Sequence, residues 1–172
     1  MSQIIWIARH ANRLDFVNPD WFLTAKRRYD PPLSDDGMIQ AQQLAKRLKE
    51  TNITHICASP FLRTALRELY PLIDLSYTPQ IAVNYPETRE KMRQRSAQTA
   101  RCLVQDYSPK DILLVGHGAS VLGAAMGLVG DIAIKEVKAS LCSLVKIVRK
   151  ESQWLLELTG DTSHLTEVEE VV

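Results

Sequence analysis

Three short runs of apolar residues predict buried β-strands at residues 3–8, 54–59 and 111–118. The first and third runs are apolar on both faces, which is typical of strands inside a parallel sheet. Two later runs, at residues 143–150 and 154–160, are more polar on one face and predict a closing antiparallel pair. The pattern therefore predicts one mixed sheet.

Segments in which apolar side chains recur with helical spacing separate these runs. In the clearest segment, Ser34 is a suitable N-cap, two aspartates follow it, and apolar residues then repeat along one face. Ser59 and Pro60 also predict a helix start, because serine caps helices and proline fits the first helical position. Helices are predicted over residues 21–28, 33–50, 59–69, 87–107 and 118–128.

The alternation of strands and helices predicts an α/β fold: a three-layer α/β/α sandwich with a mostly parallel sheet and an antiparallel C-terminal edge. A chain of 172 residues is predicted to form a single domain over residues 1–172. A long irregular connection occupies residues 14–33, and such connections are often binding loops. Residues 71–86 are also irregular, with a short strand predicted at 81–83, and the tail 166–172 is predicted to fray.

Composition narrows the classes of function. The chain is 45% hydrophobic and 24% charged with a net charge of +1, so neither a nucleic acid nor a membrane is an expected partner. The longest apolar tract, residues 119–134, is too short and too often broken by glycine to span a bilayer, and no signal peptide is expected. The three widely spaced cysteines predict reduced thiols in a cytoplasmic protein.

Polar residues of an unusual kind follow each of the three predicted inner strands. Because parallel strands place their carboxyl ends at one edge of a sheet, these residues are expected to converge where α/β proteins bind ligands. The residues at these strand ends are Arg9, His10, Arg13, Ser59, Arg63, Gly116, His117 and Gly118.

This set of residues matches the chemistry of a phosphoryl group. Arginine binds phosphate oxygens through two parallel hydrogen bonds, and the helix that starts at Gly118 offers free N–H groups. A neutral imidazole within such a pocket is a competent nucleophile. Taken singly, each element has a simpler interpretation as surface decoration, a structural histidine or a capped helix. No metal is expected, because the two motif histidines lack carboxylate or thiol ligands at a suitable spacing.

Four blocks carry a family resemblance. "ARHANR", "PLSDDGMIQAQQLAKRL", "ASPFLRTA" and "LLVGHGASV" resemble, in order, the signature blocks of the histidine phosphatase superfamily, whose fold is phosphoglycerate-mutase-like. The resemblance implies hydrolysis through a phosphohistidine, without metal or other cofactor. It implies that His10 is the nucleophile and that Arg9, Arg63 and His117 bind the phosphoryl group. It also implies a further phosphate contact from Arg13. Ser59 and Gly118, which follow two of the predicted strands, are the other predicted substrate-binding residues.

Two departures from the family pattern affect the expected chemistry. Ala11 stands where the family usually has glycine, which would be costly if this position required a positive φ. The usual acidic proton donor between the second arginine block and the final histidine block is not evident. Glu87 and Asp15 are the candidates for this acid, with Asp30 as a further one. Glu87 also has a simpler interpretation, as an acidic residue in the first turn of a helix.

A site without a dedicated acid is expected to favour good leaving groups. An alkyl phosphate gains about 10²–10⁴-fold from a positioned acid, whereas phosphohistidine expels an imidazole whose pKa is near ~6.5. The chain is similar in size to the small phosphohistidine phosphatases. The predicted substrate is a phosphorylated small molecule or phosphoprotein. The alternatives are an anion-binding or regulatory protein with little turnover and, less favoured, a phosphoglycerate mutase; the oligomeric state stays open.

The loop "NPDWFLTAKRRYDPP" leaves two interpretations open. Its aromatic and basic side chains could close over an anionic or aromatic substrate. Alternatively, and slightly favoured, its aromatic side chains pack on the body of the protein while the basic ones are solvated.

Overall fold

The computed structural model describes residues 2–64, 81 and 86–166, and a five-stranded sheet forms its centre. The strands are β1 (Gln3–Arg9), β2 (Ile53–Ala58), β3 (Asp111–Gly116), β4 (Leu144–Lys150) and β5 (Gln153–Asp161). The helices are α1 (Leu14–Val17), α2 (Trp21–Thr24), α3 (Asp35–Leu48), α4 (Arg89–Asp106), α5 (Gly118–Val129) and α6 (Ile132–Glu136).

The sheet has the strand order β2-β3-β1-β4-β5. The strands β2, β3 and β1 are parallel, and β4 and β5 add an antiparallel edge. The register pairs Arg9 with Gly116 and Ala58 with Val115. The carboxyl ends of the three parallel strands therefore lie at one edge of the sheet, which confirms the predicted fold class and the predicted convergence of the strand ends.

Side chains of β1 alternate between two cores, one on each face of the sheet. Ile5 and Ile7 belong to a core that includes residues of α4 and α5. Trp6 and Ala8 face the opposite side, where they pack with Leu44 of α3. This period of two is what a strand buried on both faces requires. The result is the predicted three-layer arrangement, with α3 on one side and α4 and α5 on the other.

Two of the predicted helices are wrong in part. Residues 60–64 form bends and turns rather than the helix expected after Ser59, and the hydroxyl of Thr64 donates to the carbonyls of Ser59 (2.6 Å) and Phe61 (2.8 Å). The helix expected over residues 21–28 ends at Thr24, and the indole N–H of Trp21 donates to the Arg28 carbonyl at 3.0 Å.

The remaining differences are small or lie outside the described residues. The irregular connection contains the short helix α1, and α4 begins at Arg89 behind the cap residue Thr88. Ile81 is not in a strand, and the rest of the strand predicted at 81–83 lies outside the described residues, as do residues 65–69 and 167–172. In the part of the chain that the structure describes, no helix is both long and apolar enough to cross a bilayer.

Candidate active site

The imidazole of His10 is held in one tautomer at the carboxyl end of β1. Its side chain is buried, with the residue only 4% exposed, and Nδ1 lies 2.8 Å from the Ala11 carbonyl oxygen. A carbonyl only accepts hydrogen bonds, so Nδ1 carries the proton and donates it. In the neutral ring, the lone pair therefore resides on Nε2. The backbone is fixed as well, since the His10 N–H donates to the carbonyl of Gly116 at 3.0 Å.

His117 lies beside His10 at the end of β3, where it is the N-cap residue of α5. The two imidazole centroids are 5.3 Å apart. The Ser59 hydroxyl is 2.9 Å from His117 Nε2, and the Phe61 ring meets the imidazole edge-on at 5.1 Å between centroids. The segment after β2, where a helix was predicted, therefore holds His117 in position through Ser59 and Phe61.

The positive charges of Arg9, Arg13 and Arg63 act on both histidines. Arg9 donates to the Ala139 carbonyl at 2.7 Å, and its Cζ lies 3.5 Å from the position that a Cβ on Gly118 would occupy. This distance is an ordinary van der Waals contact, so the guanidinium of Arg9 lies directly against the start of α5. The Arg63 side chain is only 9% exposed, and its guanidinium lies over the Phe61 ring. The pocket therefore concentrates buried positive charge at the N-terminus of a helix.

Burial and positive neighbours keep both histidines neutral near pH 7. Desolvation, together with the positive charges of Arg9, Arg63 and Arg13, lowers the pKa of His10 to about 4. Desolvation also lowers the pKa of His117 to about 3, with Arg63 as the next cause. Within the described residues, the Nε of Arg9 and the Nε and Nη1 of Arg63 are buried without a hydrogen-bond partner. An anion bound in the pocket would supply such acceptors.

The N-terminus of α3 supports the loop that follows His10. The Asn12 side chain donates to Asp36 at 2.7 Å, and its backbone N–H donates to the Gln40 side chain at 3.0 Å. Gly37 packs so tightly on the Asn12 carbonyl that a Cβ there would overlap its oxygen. Ala11 is buried and lies outside the set of described non-glycine residues with positive φ. Its methyl group is therefore accommodated without backbone strain.

The three candidate acids all form ion pairs. Asp15 accepts from Arg13, with Nε at 2.8 Å, and this hydrogen bond lowers the pKa of the carboxyl. Glu87 accepts from Arg95 at 2.7 and 2.8 Å, which lowers its pKa as well. These two groups are therefore ionised near pH 7 and carry no proton to donate.

The sequence did not indicate the contacts that Asp30 makes with the segment after β2. Asp30 is buried, pairs with Arg27, accepts a hydrogen bond from the Leu62 N–H at 2.8 Å, and lies 3.7 Å from Arg63 Nη1. It ties the long loop to the segment that carries Arg63. Asp30 and Leu62 are far apart in the sequence, so no periodic pattern of residues could indicate their contact. Only the position of Asp30 in a loop before two prolines marked it as unusual.

The structure thus brings together His10, His117 and the three pocket arginines, with Ser59 and Gly118 at the rim. It gives Glu87, which precedes α4, a different neighbour, Arg95 of that helix. The arrangement is suited to holding a tetrahedral oxyanion against an imidazole lone pair. Among the described residues, no group of three or more histidine, cysteine or carboxylate side chains is placed to hold a metal ion.

Comparisons with known proteins agree with this geometry. A family model described as the histidine phosphatase superfamily (branch 1) matches residues 5–66. A protein of Proteus mirabilis (strain HI4320), named probable phosphoglycerate mutase GpmB, is 27% identical over 190 residues, covering 81% of this chain and 86% of the relative.

Solved structures share the fold at low identity. Phosphoserine phosphatase from Entamoeba histolytica, in complex with 3-phosphoglyceric acid, has a TM-score of 0.68 at 18% identity, covering 95% of this chain and all of the other. The ecdysone phosphate phosphatase from Bombix mori, in complex with tungstate, has a TM-score of 0.71 at 16% identity, covering 91% and 92%. These structures show the shared fold, and the family model agrees with the resemblance of the first three sequence blocks, which lie within residues 5–66.

Proposed function

We propose that this chain, which has the sequence signature and the fold of the histidine phosphatase superfamily, is a phosphatase that acts through a phosphohistidine on His10. The observation that carries the proposal is the hydrogen bond from His10 Nδ1 to the Ala11 carbonyl. It leaves Nε2 unprotonated in a buried pocket. Arg9 and Arg63 have hydrogen-bond donors there without partners among the described residues, and Arg13 adds positive charge. Relatives and neighbours named as phosphatases and mutases support the same chemistry.

In the first step of this proposal, the lone pair of His10 Nε2 attacks phosphorus. A P–N bond forms, the P–O or P–N bond to the leaving group breaks, and the leaving group departs with the electron pair. In the second step, a water oxygen attacks the phosphohistidine, the electron pair of the P–N bond returns to Nε2, and the proton lost by the water passes to the released phosphate. Arg9, Arg13, Arg63 and the N-terminus of α5 stabilise the charge on the transferred group in both steps.

The ion pairs of the acidic residues bear on the substrate class. Asp15 and Glu87 are engaged by arginines that hold their pKa values low. A leaving group that departs without a strong acid is therefore favoured, such as an imidazole or a phenol. We infer that phosphoramidates and aryl phosphates react faster than alkyl phosphates, by a factor approaching the ~10²–10⁴-fold that a positioned acid supplies.

The experiment compares phosphohistidine, phenyl phosphate and an alkyl phosphate as substrates of the wild-type protein and of His10→Ala. We expect phosphate release from the first two and a loss of about 10³-fold or more in His10→Ala. His55→Ala is the matched control, because His55 stacks on Tyr107 at 4.5 Å and has no predicted role. Retained hydrolysis in His10→Ala, or equal rates across the panel, would contradict the proposal.

Two other functions have a specific observation in their favour. A mutase is favoured by the relative named as a phosphoglycerate mutase, and it would move phosphoryl groups between the hydroxyls of a sugar acid without releasing phosphate. A binding protein with little turnover is favoured by the ion-paired acids. It would label His10 once and then stop. Following both phosphate release and protein labelling over many equivalents of substrate separates the three.

A further inference from the structure

A groove of about 640 Å³ opens beside the candidate phosphate pocket. Its walls come from the long loop after β1 and from the turn after β2, and the lining residues are residues 26–30, Pro60 and Phe61. Phe61 belongs to both sites, since the same ring that borders the groove meets the imidazole of His117 edge-on at 5.1 Å. The Phe61 ring is therefore a border that the groove shares with the pocket that holds His117.

The groove is fixed at its base by contacts with the rest of the protein. Asp30 accepts the Leu62 N–H at 2.8 Å, and the Trp21 indole donates to the Arg28 carbonyl at 3.0 Å. These two hydrogen bonds hold residues 26–30, the basic stretch of the loop, next to the turn after β2. The loop thus presents its basic side chains at this position, and Phe22 and Tyr29 are exposed rather than packed on the body of the protein as the favoured alternative expected.

The charge of the groove is positive and only partly compensated. Arg27 and Arg63 flank the Asp30 carboxylate, so its negative charge is already shared. Lys26 and Arg28 are exposed, and neither side chain forms an ion pair within the described residues. Aromatic surface lies next to these charges, because Tyr29 is 84% exposed and Phe61 is 37% exposed.

We propose that this groove binds the leaving-group portion of an organic phosphate that carries a second anionic group on an aromatic frame. Lys26 and Arg28 would bind the second anion, and Tyr29 and Phe61 would contact the frame between it and the phosphate. This proposal rests on the proposed function for the identity of the first anion. It adds the second subsite and the class of substituent.

The test measures binding rather than turnover, so that it stands apart from the test of catalysis. Two non-hydrolysable ligands are compared by titration calorimetry: 3-carboxybenzylphosphonate and its neutral counterpart, 3-carbamoylbenzylphosphonate. We expect the carboxylate to bind about three- to tenfold more tightly, as exposed ion pairs allow. The preference should shrink between about 0.05 M and about 0.5 M salt, because screening weakens exposed charges.

The double variant Lys26→Gln/Arg28→Gln should lose the preference. It should bind both phosphonates with the affinity that the wild type has for 3-carbamoylbenzylphosphonate. The control Lys49→Gln/Lys135→Gln removes two exposed positive charges elsewhere and should keep the preference. Equal affinities in the wild type, a preference that survives in the groove variant, or a failure of both ligands to bind would overturn the inference. Phenyl phosphate hydrolysis is assayed separately, so ligand preference without turnover would refute the phosphatase and leave the groove assignment standing.

Discussion

Removing the Asp30 carboxylate tests whether the loop after β1 holds Arg63 in place. In Asp30→Ala, the half-buried N–H of Leu62 loses a charged acceptor at 2.8 Å, and Arg63 loses its neighbour at 3.7 Å. A hydrogen bond to a charged group contributes about 1.5–3 kcal/mol. With the lost ionic contact, we expect the free energy of unfolding to fall by about 2–4 kcal/mol. For a chain of this size, the corresponding fall in Tm is about 5–15 °C.

Asp30→Asn separates the hydrogen bond from the charge. The amide keeps an oxygen that accepts the Leu62 N–H, so the expected loss is smaller, about 1–2 kcal/mol. It also removes a negative charge beside Arg63, which we propose binds phosphate. We therefore expect inorganic phosphate to bind Asp30→Asn within about threefold of the wild-type affinity. Asp30→Ala should bind it about tenfold more weakly, because a displaced guanidinium misses its target.

The assay combines thermal unfolding with phosphate titration at a temperature where every variant is folded. Asp20→Ala is the control, because Asp20 is an exposed carboxylate of the same loop and its side chain caps nothing at α2. An Asp30→Ala variant with the wild-type Tm and phosphate affinity would refute the positioning argument. If Asp30→Asn were as damaged as Asp30→Ala, the negative charge rather than the hydrogen bond would be the essential contribution.

Two further predictions follow from the surroundings of His10. With a pKa of about 4, its imidazole is neutral above that pH. The kcat/KM profile, corrected for substrate ionisation, should stay flat down to about pH 5 and fall about tenfold per unit below about pH 4; an acidic limb near 6.5 would contradict the burial argument. Gly37→Ala should lower the free energy of unfolding by about 1–3 kcal/mol in a urea titration, since its Cβ would overlap the Asn12 carbonyl; unchanged stability would show that α3 shifts freely.

The sheet and the clustering of its strand ends could be predicted because they depend on local patterns. β1 is apolar on both faces, and parallel pairing then fixes where Arg9 and His10 emerge. The same rule placed His117 beside them, at 5.3 Å between ring centroids. These inferences required only the period of the strands and the fact that parallel strands end at one edge.

The segment after β2 shows where local signals fail. Ser59 and Pro60 are good helix-starting residues, yet the Ser59 hydroxyl contacts His117 and the Leu62 N–H bonds to Asp30. Both partners lie far away in the sequence, so capping preferences carry no information about them. Tertiary hydrogen bonds at a binding site decided the backbone, and Arg63 reaches the pocket from a turn rather than from a helix.

The ion pairs of the acidic residues have a consequence for the order of events in the site. Arg13 lies among the charges that lower the pKa of His10 and His117, yet its guanidinium is bound to Asp15 before any phosphate arrives. A dianion that recruits Arg13 must compete with that carboxylate, and Asp15 released from its partner would have a higher pKa. Asp15→Asn should therefore strengthen phosphate binding, because it removes the competitor while keeping the side-chain shape. Because the ion-paired Asp15 carries no proton to donate, Asp15→Asn should change the hydrolysis of alkyl and phenyl phosphates by the same factor. A loss confined to the alkyl phosphate would show instead that the carboxyl supplies a proton to the leaving group.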